Sequence, residues 1–146
     1  MSAVHDVCLV GVSGSGKGLL SDLMKPSGLD VRMWSASWEA PWLGRKGIPE
    51  AKVYVKAFRA QAWRTIHNRK YAYPAERTAK TEADAHRVFL EGWAAIDAAI
   101  PEALNAIHAD VKADPQGFCD QLADQLGVAR WTVPDIEFYD NGDGDG

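Results

Sequence analysis

The chain has 146 residues, of which 47% are hydrophobic and 25% charged, so it can build one packed domain and does not resemble a disordered chain. It contains no apolar run near the roughly 18 residues of a membrane span, and its first residues lack the basic and apolar regions of a secretory signal, so we expect a cytoplasmic protein. The net charge of −4 is uneven, because residues 45–87 carry net +7 and residues 88–146 carry net −10.

The N-terminal part predicts two strands separated by a glycine-rich segment. The continuous apolar run 7–12 is typical of a buried strand, and the alternating residues 29–34 predict a second one. Between them, apolar residues recur at helical spacing and end at a Pro-Ser-Gly turn: Leu19, Leu20, Leu23 and Met24.

The middle of the chain predicts two helices. Pro49 is suited to the first turn of a helix that runs to about His67. Thr81, with Asp84 three residues later, resembles a capping box at the start of the next helix. Its apolar spacing continues past Pro101, which restarts or kinks it, and includes the following residues: Leu104, Ile107 and Val111.

The C-terminal part predicts one more helix and an edge strand. Asp114 and Pro115 begin this helix, and Gly127 ends it as a C-terminal cap. Residues 128–139 predict a last strand, which Pro134 confines to a sheet edge or splits. We therefore expect a single domain over residues 1–139, followed by an acidic, glycine-rich tail over residues 140–146.

The most specific feature is the segment 11–17, which reads Gly-Val-Ser-Gly-Ser-Gly-Lys and fits the phosphate-loop pattern G-x-x-x-x-G-K. Such a loop directs several backbone N–H groups at a phosphate, because glycines let the chain curl closely, and the N-terminus of the next helix adds positive charge. Lys17 would reach the phosphates as a point charge and is the predicted catalytic residue. The predicted nucleotide-binding residues are Gly11, Ser13, Gly14, Ser15, Gly16, Lys17 and Gly18.

The expected cofactors are ATP and Mg²⁺, although one magnesium ligand of the motif is replaced. A serine or threonine normally follows the lysine and holds the metal. Here Gly18 and Leu19 stand in its place, and Ser21 lies a turn further on. Phosphate binding could survive this change, whereas magnesium-dependent phosphoryl transfer is less secure.

A different fold would give the glycines a purely geometric role. Residues 7–12 and 18–24 could pair as a β-hairpin across the loop, and a second turn would lead to residues 29–34. The domain would then be α+β, with a three-stranded meander on a helical layer. The two alternatives differ in whether residues 18–24 form a helix or a strand.

The chain resembles the P-loop nucleotide kinases, and most nearly the deoxynucleoside monophosphate kinases of phages and bacteria. The residues Gly14-Ser15-Gly16-Lys17 and a helical Asp22 match that family. Residues 37–41 resemble its Ser-aromatic-Ala-Asp-Pro turn. Residues 110–112, Asp-Val-Lys, resemble the Asp-Val-Arg that ends a later strand. The resemblance implies an α/β fold, ATP and magnesium as cofactors, and phosphoryl transfer between nucleotides.

Other features predict partners rather than catalysis. Basic and aromatic residues interleave over residues 45–80, which is typical of single-strand nucleic-acid binding or of a solvated helix face above a core. Residues 122–133 resemble half of a helix-turn-helix, but Pro134 and the acidic surroundings argue against DNA binding. Cys8 and Cys119 stand far apart, which predicts two buried thiols rather than a disulfide or a zinc site.

Two hypotheses follow. The first is a small α/β domain with two or three layers, a short N-terminal sheet and a mainly helical C-terminal part. It binds a nucleotide phosphate and is an active or degenerate nucleotide kinase. The second is a non-enzymatic interaction or assembly protein, of a kind found in phages and viruses, in which the basic region 45–87 of one copy contacts the acidic region 88–146 of another.

Overall fold

The structure is a computed structural model that describes residues 4–12, 15–36, 48–68 and 81–137. A parallel sheet contains β1 (His5–Val12), β2 (Val31–Ala36), β3 (Ala51–Lys56) and the short β4 (Leu104–Asn105). The helices are α1 (Lys17–Leu23), α2 (Arg59–Asn68), α3 (Glu82–Ala99), α4 (His108–Ala113) and α5 (Pro115–Leu126). None of these helices, within the described ranges, has the length and apolar character needed to cross a membrane.

The strands are arranged in the order β2-β1-β3-β4, so β1 has a neighbour on each side. Leu9 of β1 lies opposite Met33 of β2 and opposite Val55 of β3, and Val55 in turn lies opposite Leu104 of β4. The chain moves from β1 to one side and then crosses to the other side for β3. In open parallel sheets, such a change of direction leaves a crevice at the carboxyl ends of the two strands, here β1 and β3.

The sheet lies between two layers of helices. Successive side chains of β1 point to opposite faces of the sheet, so β1 packs against both layers. Cys8 and Val10 pack with the apolar side chains of α2 and α3, among them Trp93. Val7 and Leu9 point to the other face, where they pack with residues of α1, α4 and α5. The predicted α/β class is therefore confirmed.

Residues 17–23 form a helix, so the meander alternative is wrong. The three strand pairs in the described part of the chain are parallel, whereas a meander requires antiparallel neighbours. The physical reason is the spacing of Leu20, Leu23 and Met24, which lets all three be buried against one face of β1.

The predicted helix boundaries at Thr81, Asp114 and Gly127 are confirmed. Thr81 Oγ1 accepts a hydrogen bond from the Asp84 amide at 3.1 Å at the start of α3. Asp114 Oδ1 accepts one from the Gly117 amide at 2.9 Å at the start of α5. Gly127 ends α5 with a φ of 72°, in the left-handed region that glycine adopts readily.

Two predicted helical segments are wrong. Residues 51–56 form β3 rather than the first half of a helix from Pro49, and α2 begins only at Arg59. Residues 104–105 form β4, and α4 begins at His108, so the helical spacing does not continue past Pro101. Both errors have one cause: pairing with a distant strand fixes these segments, as in the hydrogen bond from the Ala106 amide to the Lys56 carbonyl at 2.8 Å.

The predicted last strand is not formed over the described residues 128–137, where side chains hold the backbone instead. The Gln116 amide group donates to the Trp131 carbonyl at 2.7 Å and accepts from the Val133 amide at 3.1 Å. Trp131 Nε1 donates to the Leu23 carbonyl at 2.9 Å, which ties this segment to the end of α1. The predicted tail, residues 140–146, lies outside the described residues.

Candidate phosphate-binding site

The glycine-rich segment connects the end of β1 to the start of α1, in the crevice beside β3. Gly11 lies within β1, Ser15 and Gly16 form the turn, and Lys17 is the first residue of α1. Gly18 is the second residue of α1 and is exposed. Ser13 and Gly14, which were also predicted to bind phosphate, lie outside the described residues.

Two of the glycines are required by close packing. Gly16 has a φ of 89°, and a Cβ on it would meet the ring of Phe58, with Cε2 at 2.9 Å. A Cβ on Gly11 would meet Ser15 Oγ and would lie 3.2 Å from the Cβ of Ala57. A side chain at either position would therefore displace the loop from the residues that follow β3.

The segment after β3 is also hydrogen-bonded to the loop. The Ala57 amide donates to the Val10 carbonyl at 2.8 Å, and the Phe58 amide donates to the Ser15 carbonyl at 2.9 Å. The second bond joins the turn itself to Phe58, two residues after the end of β3. The loop is thus held against the sheet by β3, a contact that the sequence pattern does not reveal.

Lys17 is 8% exposed and lies beside the turn, with its Nζ 3.4 Å from Ser15 Oγ. Burial lowers the pKa of Lys17 to about 8, because desolvation disfavours the charged ammonium. An anion placed near Nζ would offset that cost. The structure therefore brings together Ser15, Gly16 and Lys17 from the predicted set.

Two other features of the kinase resemblance, Asp22 and residues 110–112, differ from what the family implies. Asp22 is exposed near the end of α1, where Oδ1 pairs with Lys25 Nζ at 3.2 Å. Residues 110–112 lie inside α4, so the expectation that Asp110 ends a strand is wrong. The strand that ends beside the loop is instead β3, and its last residue is Lys56. Residues 37–41 lie outside the described residues.

The described part of the chain differs from the magnesium site that the resemblance implies, and magnesium binding stays a prediction. Gly18 and Leu19 offer no hydroxyl group after Lys17. Across residues 4–12, 15–36, 48–68 and 81–137, no group of three or more His, Cys, Asp and Glu side chains is placed to hold a metal. Both cysteines are free and buried, with Cys8 and Cys119 in the cores on opposite faces of the sheet.

A cavity of about 770 Å³ adjoins the loop at the carboxyl ends of β3 and β4. It is lined on one side by Lys56 and Phe58, and on the other by α2 and α3. Lys56 Nζ lies 2.8 Å from Asp97 Oδ1 of α3. Sequence reasoning grouped Lys56 and Arg59 with the basic region but selected neither, and it missed Asp97.

Six of the ten basic residues over residues 45–80 lie outside the described part of the chain, so the predicted nucleic-acid binding stays a prediction. The residues outside the described part are Arg45, Lys46, Arg69, Lys70, Arg77 and Lys80.

No protein-family model matches this chain, and no curated protein or solved structure matches it either.

Proposed function

We propose that this domain binds the phosphate groups of a nucleotide, with ATP as the expected ligand, at the glycine-rich loop between β1 and α1. The observation that carries the proposal is Lys17, a buried lysine that directly follows a left-handed glycine at the carboxyl end of the central strand. Its Nζ lies 3.4 Å from Ser15 Oγ, beside the turn, where a phosphate held by the loop amides would be within its reach.

The chemistry of the loop supports the same ligand. Loop amides in an irregular backbone can donate to phosphate oxygens, and the lysine adds a full positive charge. In a nucleotide kinase, such a lysine stabilises the negative charge on the phosphoryl group during transfer. We propose that role for Lys17.

Isothermal titration with ATP tests the proposal on the wild type, on Lys17→Ala and on a control, Lys25→Ala. Lys25 lies just beyond the end of α1 and is exposed, so the control removes an equal charge away from the loop. We expect the wild type and Lys25→Ala to bind alike, and Lys17→Ala to bind at least about tenfold more weakly, the size of one lost charged hydrogen bond. Equal affinity in all three, or no heat with the wild type, would refute the proposal.

The need for magnesium and the ability to transfer a phosphoryl group are tested separately. Titrations with magnesium and with a chelator show whether the nucleotide binds as a metal complex. Product formation from ATP and a deoxynucleoside monophosphate distinguishes an active kinase from a degenerate one, and Lys17→Ala should lose whatever transfer the wild type supports. Binding without transfer would identify a nucleotide-binding domain that lacks kinase activity.

The alternative of an assembly protein stays a prediction. Among the described residues, two ion pairs join the basic region to the acidic region within a single chain: Lys56 with Asp97, and Arg87 with Glu91 one turn further along α3. These pairs favour neutralisation inside the domain. Sedimentation across a range of salt concentrations tests the alternative, since association between copies through opposite charges would weaken as salt rises.

A further inference from the structure

The cavity beside the loop has the features of a ligand site in its own right. Its volume of about 770 Å³ falls in the usual range for small-molecule pockets. None of the loop residues 15–18 lines it, and its nearest link to the loop is Phe58, which also contacts Gly16. A ligand could therefore occupy this cavity whether or not the loop binds a nucleotide.

One side of the cavity is formed by aromatic rings of α2 and α3. The centroids of Trp63 and Phe89 lie 5.6 Å apart, and those of Phe89 and Trp93 lie 6.2 Å apart. The His86 ring extends this wall, with its centroid 4.8 Å from that of Trp63. Such a wall favours a flat, apolar ring, because ring edges and faces pack at these distances.

The charged groups of the cavity favour an anion. Lys56 and Arg59 contribute two positive charges and Asp97 one negative charge. The Arg59 guanidinium carbon lies 5.4 Å from the centroid of Phe89, so one cation is already placed against the aromatic wall. Formal charges on the lining therefore sum to a net positive value, which attracts negatively charged ligands.

The Lys56–Asp97 ion pair is unequal in its exposure. The Lys56 side chain is 10% exposed, whereas the Asp97 side chain is 55% exposed. Asp97 can turn into water at small cost, but Lys56 stays buried and needs an anionic partner. A second anion that enters the cavity can therefore replace the Asp97 carboxylate at Lys56 Nζ.

We propose that this cavity binds a small aromatic anion, whose ring packs against the wall of Trp63 and Phe89 and whose negative group takes the place of Asp97 at Lys56. The proposal does not rest on nucleotide binding at the loop. The ligand class is defined by its chemistry: a flat ring joined to a phosphate or a carboxylate.

Phenyl phosphate and benzoate are the two probes, and both are titrated into the Lys17→Ala chain so that the glycine-rich loop contributes less. Binding is followed by calorimetry and by tryptophan fluorescence, because Trp63 and Trp93 line the cavity. Inorganic phosphate and phenol serve as the separate halves of the first probe. We expect at least one probe to bind at least about tenfold more tightly than either half, since ring packing and charge both contribute.

Three further substitutions test the exchange at Lys56 in the same background. Lys56→Met is expected to weaken probe binding about tenfold or more, through loss of a charged hydrogen bond. Asp97→Asn is expected to tighten it severalfold, because the competing carboxylate is gone. Lys52→Met is the matched control and should change nothing, since Lys52 lies on the same strand but pairs with Asp6 near its other end.

Lys56→Met and Asp97→Asn are expected to change the probe affinity in opposite directions. A general loss of folding would lower the affinity of both variants. If Lys56→Met fails to fold, the increase in affinity on Asp97→Asn still decides the matter. The proposal is overturned if Asp97→Asn weakens binding or leaves it unchanged, or if neither probe binds more tightly than inorganic phosphate and phenol. Loss of ATP binding in Lys17→Ala with probe binding intact would support both sites independently.

Discussion

The ring of Phe58 occupies the space that a side chain at Gly16 would need, so the turn before α1 and the residue after β3 fit together only when position 16 is glycine. The Phe58 amide also donates to the Ser15 carbonyl at 2.9 Å, next to that contact. Phe58 is itself buried and packs edge-on against His108, with ring centroids 5.0 Å apart. The loop conformation is therefore fixed by the opposite side of the crevice as well as by its own glycines.

Gly16→Ala is expected to lower the free energy of unfolding more than Gly28→Ala does. Both glycines have positive φ, 89° and 75°, so both substitutions place alanine in a backbone conformation that costs about 1–2 kcal/mol. A Cβ at Gly28 meets nothing within 4 Å, whereas one at Gly16 meets Phe58. The difference between the two variants in urea unfolding therefore measures the contact with Phe58.

That difference should be positive, and it should fall when both glycine substitutions are made in a Phe58→Leu background, because a smaller side chain relieves the contact. Equal losses for Gly16→Ala and Gly28→Ala would show that Phe58 does not constrain the turn.

The stability of the domain should depend on the charge of Lys17 above neutral pH. Burial lowers the pKa of Lys17 from 10.5 to about 8, so between these pH values the unfolded chain holds a proton that the folded chain has released. Stability contributed by this group therefore rises as the pH increases from about 8 towards 10.5. The gain between about pH 7 and pH 9.5 should be on the order of 2 kcal/mol in the wild type relative to Lys17→Met.

Urea unfolding of both proteins at the two pH values measures this difference. Groups that titrate equally in both proteins, including the cysteines, cancel in the comparison. Parallel pH profiles for the wild type and Lys17→Met would mean that the ammonium is not desolvated in the folded state.

Both thiols should resist modification in the folded protein. Burial raises the pKa of Cys8 to about 11, and burial together with the nearby Asp120 raises that of Cys119 to about 12. Because the thiolate is the reactive form, a disulfide reagent at about pH 8 should modify each thiol only as fast as the domain opens. Reaction rates of Cys8→Ala and Cys119→Ala, followed by absorbance with and without urea, test each thiol separately. Rapid modification of either variant without denaturant contradicts this expectation.

The Asp114 cap should stabilise α5 through its carboxylate oxygen. Asp114→Ala leaves the Gly117 amide without that acceptor and should lower the free energy of unfolding by about 1 kcal/mol. Asp114→Asn retains a capping oxygen, so it should lose only a small part of that stability. Thermal unfolding compares the two, with Glu102→Ala as a control for loss of one exposed negative charge. Similar losses for Ala and Asn at position 114 would argue for a charge effect instead of a cap.

Local patterns predicted the parts of the fold whose hydrogen bonds are local. The run 7–12, the glycine-rich turn and the spacing of Leu20 and Leu23 correctly indicated a strand, a loop and a helix. The caps at Thr81 and Asp114 were predicted for the same reason, since each side chain bonds an amide three residues away.

The errors lie where distant pairing decides the structure. In β3, Val53 and Val55 are compatible with either a strand or a helix, and Pro49 and Glu50 resemble a helix start. Only the pairing of β3 with both β1 and β4 makes it a strand. Two residues of β4 carry too little pattern to be recognised at all.

The cavity residues Lys56 and Asp97, unlike Lys17, could not be selected from the sequence. Lys17 was identified because its motif is contiguous. Lys56 and Asp97 are 41 positions apart, and nothing in their local sequence relates them. They meet because β3 ends beside α3 in three dimensions.

The central place of β1 affects the order in which the domain can be completed during synthesis. β1 precedes β2 and β3 in the chain and is hydrogen-bonded on one edge to β2 and on the other to β3, so both its edges are covered only after residue 56 has been made. Val7 and Leu9, which end fully buried, pack with residues of α4 and α5, so their side chains stay accessible until residues 108–126 have been made. Folding of this domain should therefore be concerted and late. We expect β1 to be protected from aggregation only after most of the strands and helices that contact it have been made.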